Sequence, residues 1–188
     1  EWLAVAEVQG ASAGARILSA APLAMEEIER LFADRIETVR SVRFRPETGG
    51  VEALRQQKLG AITLSSGGDD APDSAAVIAA LMEGVRRGAL DLLPWPERSK
   101  ALRLRATFAG IDGLDDDALL GELDDWLPDL LKGKRRLTDV DPGALASVLD
   151  ARLGWDTRKQ IDAIAPEMFE TPAGTRHAID YAAPGGPE

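Results

Sequence analysis

The chain has 188 residues, 45% of them hydrophobic, and a net charge of −10, enough apolar mass for one large or two small domains with a true core. It has no cysteine and a single histidine, which excludes disulfides and thiolate metal sites; a reducing, cytoplasmic setting without a metal is expected. The acid excess speaks against whole-molecule attraction to nucleic acid, whose phosphates need clustered Lys and Arg, and no apolar run is long enough for a bilayer span.

The opening run, EWLAVAEVQG, reads as a β-strand that starts at residue 1 without a lead-in, so an ordered segment is expected to precede it in the natural protein. A small-residue turn, QGASAGA, leads into ARILSAAPL, a second strand stopped by Pro22, and the two read as an antiparallel pair. In LAMEEIERLFADRIE the period changes: Ile28, Leu31, Phe32 and Ile36 recur at helical spacing, with Glu26 and Glu27 where the helix dipole favours anions. TVRSVRFRP then alternates, placing Val42 and Phe44 on one face and Ser41, Arg43 and Arg45 on the other. After the turn PETGG, the run VEALRQQKLGAITLSS returns as one strand with a bulge expected near Gln56, Gln57 or Gly60. The order strand, strand, helix, strand, strand matches an OB-fold, usually three strands, a helix and two strands, with its first strand absent. Residues 1–68 are therefore expected to form an incomplete OB-like β-barrel.

SSGGDDAPDS crowds Gly, Ser, Asp and Pro between two periodic regions and reads as the linker. Residues 74–188 are expected to be mostly helical and to end in a short strand, making the chain α+β. SAAVIAALMEGVRRGAL carries an apolar stripe from Val77 to Val85 with Ser74 as N-cap, and LLPWPE stops it before ERSKALRLRATFAG. In DDDALLGELDDWLPDLLKGK the acids open a helix instead of forming a calcium loop, whose ligands alternate around a glycine turn. Pro128 is expected to kink or restart that helix. DPGALASVLDARLG and WDTRKQIDAIAPEMF read as two further helices, and TPAGTRHAIDYAAPGGPE as a turn, a last strand and a tail. Trp126 and Trp155 are expected to be core or interdomain anchors.

The motifs of catalysis are missing from this sequence. Gly133 and Lys134 in KGKRRL lack the preceding glycine and following Ser or Thr of a phosphate loop, and no Gly-x-Ser-x-Gly elbow occurs. His177 reads as a strand residue and not as part of a relay, and Asp124 and Asp125 are neighbours that point apart on a helix. The feature suited to binding is a basic stripe, Arg43, Arg45, Arg55 and Lys58, on a strand and its return. OB-folds bind single strands on such faces; the competing reading is that these cations only solubilise the outside of the barrel.

Taken in order, EWLAVAEV, ARILSAAPL, LFADRI, KLGAITL, LLPWPERSKALRLRATF, DALLGELDDWLPDLLKG and WDTRKQIDAIAPEMFETPAGTRHAIDY resemble the region after the motor in HrpB-type bacterial DEAH-box ATP-dependent helicases. The resemblance implies an OB-like region followed by a family-specific C-terminal domain. It also implies that ATPase lobes, with their phosphate loop and DEAH box, precede Glu1. On that basis ATP and Mg belong to the parent motor, and this fragment has no cofactor and no catalytic residue of its own. Its expected role is to guide single-stranded RNA or DNA, bound only weakly in isolation, and to dock on the motor lobes of the same chain, as a monomer without a membrane. A protein-protein interaction scaffold is the alternative. Two departures stand out: Ala173 occupies the place of a serine in the family, and the chain stops at GGPE where the family continues into a Leu-Phe-Gly tail.

Overall fold

The computed structural model describes residues 2–10, 14–183 and 186–187. Residues 11–13 of the expected QGASAGA turn, and part of the C-terminal tail, lie outside them. The chain forms two compact units: the first takes in the residues up to Ser41 together with Ala53–Asp70, the second Val42–Glu52 together with Ala71 onward. The expected linker SSGGDDAPDS spans residues 65–74, of which 65–68 belong to a strand and Ala71 lies at a boundary between the units; nothing in the sequence announces that Val42–Glu52 groups with the second unit.

In the first unit, β1 (Trp2–Gln9) and β2 (Arg16–Leu23) pair antiparallel, from Trp2 opposite Leu23 to Gln9 opposite Arg16, with irregular register between Val5 and Val8. This two-stranded ribbon leaves Leu3, Val8 and Ile17 more than half exposed. Helix α1 (Met25–Leu31) opens with the Glu27 carboxylate accepting from the Ala24 amide at 3.1 Å and buries Ile28. It is shorter than the sequence period implies. The chain turns at Phe32, whose carbonyl accepts from the amides of Arg35 and Ile36, and Ile36 begins a strand because the β-branched residues that follow favour an extended backbone.

Strands β3 (Ile36–Arg45), β4 (Gly50–Leu59) and β5 (Ile62–Gly68) form one sheet in that order. Here the structure corrects the sequence reading. The expected single return strand is two strands, because Gly60, at φ +59°, supplies the left-handed position of a tight turn that other residues disfavour. The register does shift opposite Gln57 and Lys58, but the unmatched residue is Leu64 on β5, since Gln57 pairs with Ser65 and Lys58 with Thr63. Three strands thus follow α1, not two, so the strand count that pointed to one missing barrel strand does not hold. The five strands lie in two open sheets.

The second unit is the expected mostly helical part, and with the sheets it makes the fold α+β. Helix α2 (Ser74–Gly84) runs into a π-helical turn, Val85–Ala89, and a 3-10 turn, Leu90–Leu92. Its N-cap is Asp73, not Ser74: the Asp73 carboxylate accepts from the Ala76 amide at 2.9 Å. Helices α3 (Glu97–Phe108), α4 (Asp116–Gly121), α5 (Leu123–Leu130) and α6 (Pro142–Ile164) follow, with a 3-10 turn at Leu137–Asp139. Pro128 sits inside α5, and the break falls instead at Glu122, between α4 and α5. Gly154, at φ +63°, interrupts α6 where the sequence divides it in two. One last strand was expected and two are present, β6 (Met168–Glu170) and β7 (Arg176–Ala178), paired antiparallel with Phe169 opposite His177.

Leucines dominate the core of this unit. Leu81, Leu119, Leu123, Leu127, Leu145 and Leu149 are fully buried, and burying each such side chain contributes about 1.5–3 kcal/mol relative to leaving it in water. Trp126 belongs to this core, its indole N–H donating to the Leu119 carbonyl at 3.0 Å and its ring 6.1 Å from that of Trp95. Trp155 does not. It is 69% exposed, with the Lys159 ammonium 3.5 Å from its ring centroid, so the anchoring role expected of it is corrected. The Gly154 break lets the chain swing this ring out of the helical stripe that buries Leu149 and Leu153.

Candidate nucleic-acid interface

The four cations singled out in the sequence are divided between the units. Arg43 and Arg45 belong to the second unit, through the part of the hairpin that joins it; Arg55 and Lys58 belong to the first. Arg43 and Arg45 are exposed and share a strand face by alternation, with Val42 and Phe44 turned to the core of the second unit. Arg45 is held by the Glu52 carboxylate. Arg55 is exposed and Lys58 half-buried. They stand three residues apart on a strand whose own alternation is unbroken, the extra residue being on β5, and so they point to opposite faces.

The hairpin tip that carries Arg43 and Arg45 is built into the second unit from two sides. On one side the ring of Phe44 covers Gly84 at the end of α2, and beside it opens a pocket of about 630 Å³ lined by Val42, Arg43, Phe44, Glu83, Arg87 and Leu92, among others. On the other side the tip meets the segment between α5 and α6. The Val51 amide donates to the Arg135 carbonyl at 3.0 Å, the Leu137 amide donates to the Gly49 carbonyl at 2.8 Å, and Gly50 and Arg136 form an antiparallel bridge. That segment is KGKRR, Lys132–Arg136, flanked by Leu131 and Leu137, both fully buried. KGKRR lacks the pattern of a phosphate loop, and it places four cations within five residues.

The remaining features of the second unit are structural. The Asp115 carboxylate accepts from the Ala118 amide at 2.9 Å and Asp116 pairs with Arg103, so the acidic run caps α4 as expected. The Ala118 amide foremost holds the Asp115 carboxyl below its ordinary range, against a smaller opposing effect of burial and with help from the Gly113 and Asp117 amides. His177 is exposed on β7. Arg105 is 2% exposed and binds the Ala165 carbonyl at 2.6 Å, Glu167 at 2.7 Å and Asp162, tying the end of α6 and the approach to β6 onto α3. No helix among the described residues is long and apolar enough to cross a membrane.

A family model described as "ATP-dependent helicase C-terminal", HrpB_C, matches residues 126–188. The ATP-dependent RNA helicase HrpB of Escherichia coli K12 is 27% identical over 190 residues, which is 96% of this chain and 24% of that protein. The crystal structure of the E. coli DExH-box NTPase HrpB aligns with all of this chain at 26% identity and a TM-score of 0.50. The chain resembles the C-terminal region of an HrpB-type helicase. That is the resemblance expected from the ordered sequence landmarks, and the match to HrpB covers both units. The chain spans about a quarter of the length of these relatives, 24% in each case.

Proposed function

We propose that this chain is the accessory C-terminal region of an ATP-dependent helicase, which guides single-stranded RNA or DNA and docks on the motor lobes of the same parent chain. The observation that carries this is the similarity to HrpB along 96% of the chain, over 24% of that protein, together with the helicase C-terminal family model that matches residues 126–188. The OB-like reading of residues 1–68 is part of the proposal, supported by the five strands and one helix found along them. Docking is supported by the β1–β2 ribbon, where Leu3, and the opposed pair Val8 and Ile17, are left without cover; exposed apolar side chains of this kind suit a protein surface better than water. Strand guidance is read for the cations Arg43, Arg45, Arg55 and Lys58, of which Arg43 and Arg45 share an exposed strand face; side chains of this kind contact phosphates without reading sequence. ATP and Mg are assigned to the motor.

The test uses the full-length helicase. Replacing Arg43, Arg45, Arg55 and Lys58 with alanine lowers nucleic-acid-stimulated ATP hydrolysis and leaves basal hydrolysis nearly unchanged, equally for different strand sequences and less so at high salt. Unchanged stimulation in a folded quadruple variant overturns the guiding role and favours the scaffold reading.

A further inference from the structure

In an acidic protein, arginines tend to find carboxylates, and most of those in the second unit do: Arg86, Arg87, Arg103, Arg152 and Arg158 each hold one. Lys134, Arg136 and Arg43 have no carboxylate partner among the described residues. Lys134 and Arg136 flank Arg135 on the segment that the hairpin tip holds, whereas Arg43 lines the pocket on the other side of that tip.

The way the segment is held matters more than its composition. Its grip on the hairpin is made by main-chain groups: the Arg135 carbonyl, the Leu137 amide, and the bridge between Gly50 and Arg136. Below it, Leu131 and Leu137 are sunk in the core, and the Lys134 amide closes the turn onto the Leu131 carbonyl at 3.0 Å. Gly50 allows the close approach, since a Cβ there would lie 2.9 Å from the Arg136 Cγ and 3.0 Å from the Arg135 oxygen. Main chain and buried leucines fix the backbone, so the Lys134 and Arg136 charges are not consumed in holding it. Cations on a fixed backbone, with charges unspent on the fold, suit a polyanion, because little loop entropy remains to be lost on binding.

We propose that Lys134 and Arg136 form a phosphate-binding edge for the backbone of single-stranded nucleic acid. The inference rests on the helicase-accessory reading for its ligand class and differs from it in the residues: contact is assigned to Lys134 and Arg136 of the KGKRR segment, without Arg43, Arg45, Arg55 or Lys58. The edge contacts phosphates and leaves base and sugar unread.

The experiment measures binding of fluorescent oligo(U) and oligo(dT) of equal length to the 188-residue chain across a salt series. Weak binding of both is expected, with affinity falling as salt rises. Lys134→Ala with Arg136→Ala should reduce the slope of log affinity against log salt by about 1.4, two contacts at about 0.7 each. Lys134→Arg with Arg136→Lys should retain the slope, and Lys134→Gln with Arg136→Gln, matched to the parent chain by circular dichroism, guards against misfolding of the alanine variant. If the folded loop variants keep the full slope while Arg55→Ala with Lys58→Ala lowers it, the edge is overturned and the accessory reading stands. If the wild-type chain binds neither oligonucleotide, the edge is overturned, whereas the accessory reading answers to ATP hydrolysis in the full helicase. Equal competition by poly(glutamate) of matched charge would also overturn the assignment, in favour of an acidic protein partner.

Discussion

The ring of Phe44 occupies the space a Cβ on Gly84 would need: that atom would stand 2.6 Å from the Cγ and Cδ1 of the ring. A strand residue and a helix residue forty positions apart in sequence are therefore matched, the one large because the other is absent. Gly84→Ala should destabilise the protein by about 1–3 kcal/mol, the usual cost of forcing atoms into a packed site. Urea unfolding would measure it, and Phe44→Leu in the Gly84→Ala background should recover part of the loss, since the smaller side chain vacates the contested space. No destabilisation in the single variant would mean the ring is free to move aside.

The two tryptophans separated by the structure should respond differently to truncation. Trp126→Ala removes a ring 8% exposed and bonded to the Leu119 carbonyl, and about 3–5 kcal/mol of stability should go with it. Trp155→Ala removes an exposed ring and should change stability by no more than about 0.5 kcal/mol. Thermal melts of the two variants side by side check both values.

Arg105 holds three partners at once, and only a planar fork of donors can do so. Arg105→Lys should therefore fail to restore what Arg105→Ala loses. The partner carboxylates are more than half exposed and can return to water, so the expected loss is that of the buried Ala165 carbonyl left unpaired, about 1–3 kcal/mol. Hydrogen exchange should quicken in the residues after Ala165, through β6 and β7, before it quickens elsewhere. Uniform exchange across the chain would show that Arg105 supports the whole core instead.

Asp115 links stability to pH. Because the Ala118 amide depresses its carboxyl in the folded state, its contribution is complete above the unfolded value, near pH 4, and is lost as pH falls through the lower folded value. Asp115→Asn retains an N-cap acceptor but no charge, so below about pH 4 the variant should lose less stability on further acidification than the parent does. Acid unfolding curves that superimpose would remove Asp115 from the list of acid-sensitive groups.

The sequence by itself was enough for whatever depends on neighbours along the chain. The apolar stripe of Val77, Leu81 and Val85, the acids that begin α4, the division of α6 after Leu153, and the ordered landmarks shared with HrpB are all local patterns, set by period, capping chemistry and glycine, and each was legible. The same locality explains the errors. The run from Ile28 to Ile36 reads as one helix by spacing alone, yet the chain turns after Phe32, and Gly60 closes a hairpin where only a bulge was foreseen.

What only the tertiary structure decided is which distant segments share a surface. Arg43 and Arg55 look like one stripe on paired strands, but strand alternation turns Arg55 and Lys58 apart, and the hairpin tip is claimed by the second unit through Phe44 on Gly84 and Gly50 against Arg136. KGKRR gains its role only from the hairpin that holds it, some eighty residues away in sequence. Pairings of this kind depend on shape and on main-chain hydrogen bonds between remote segments, which composition and period do not encode.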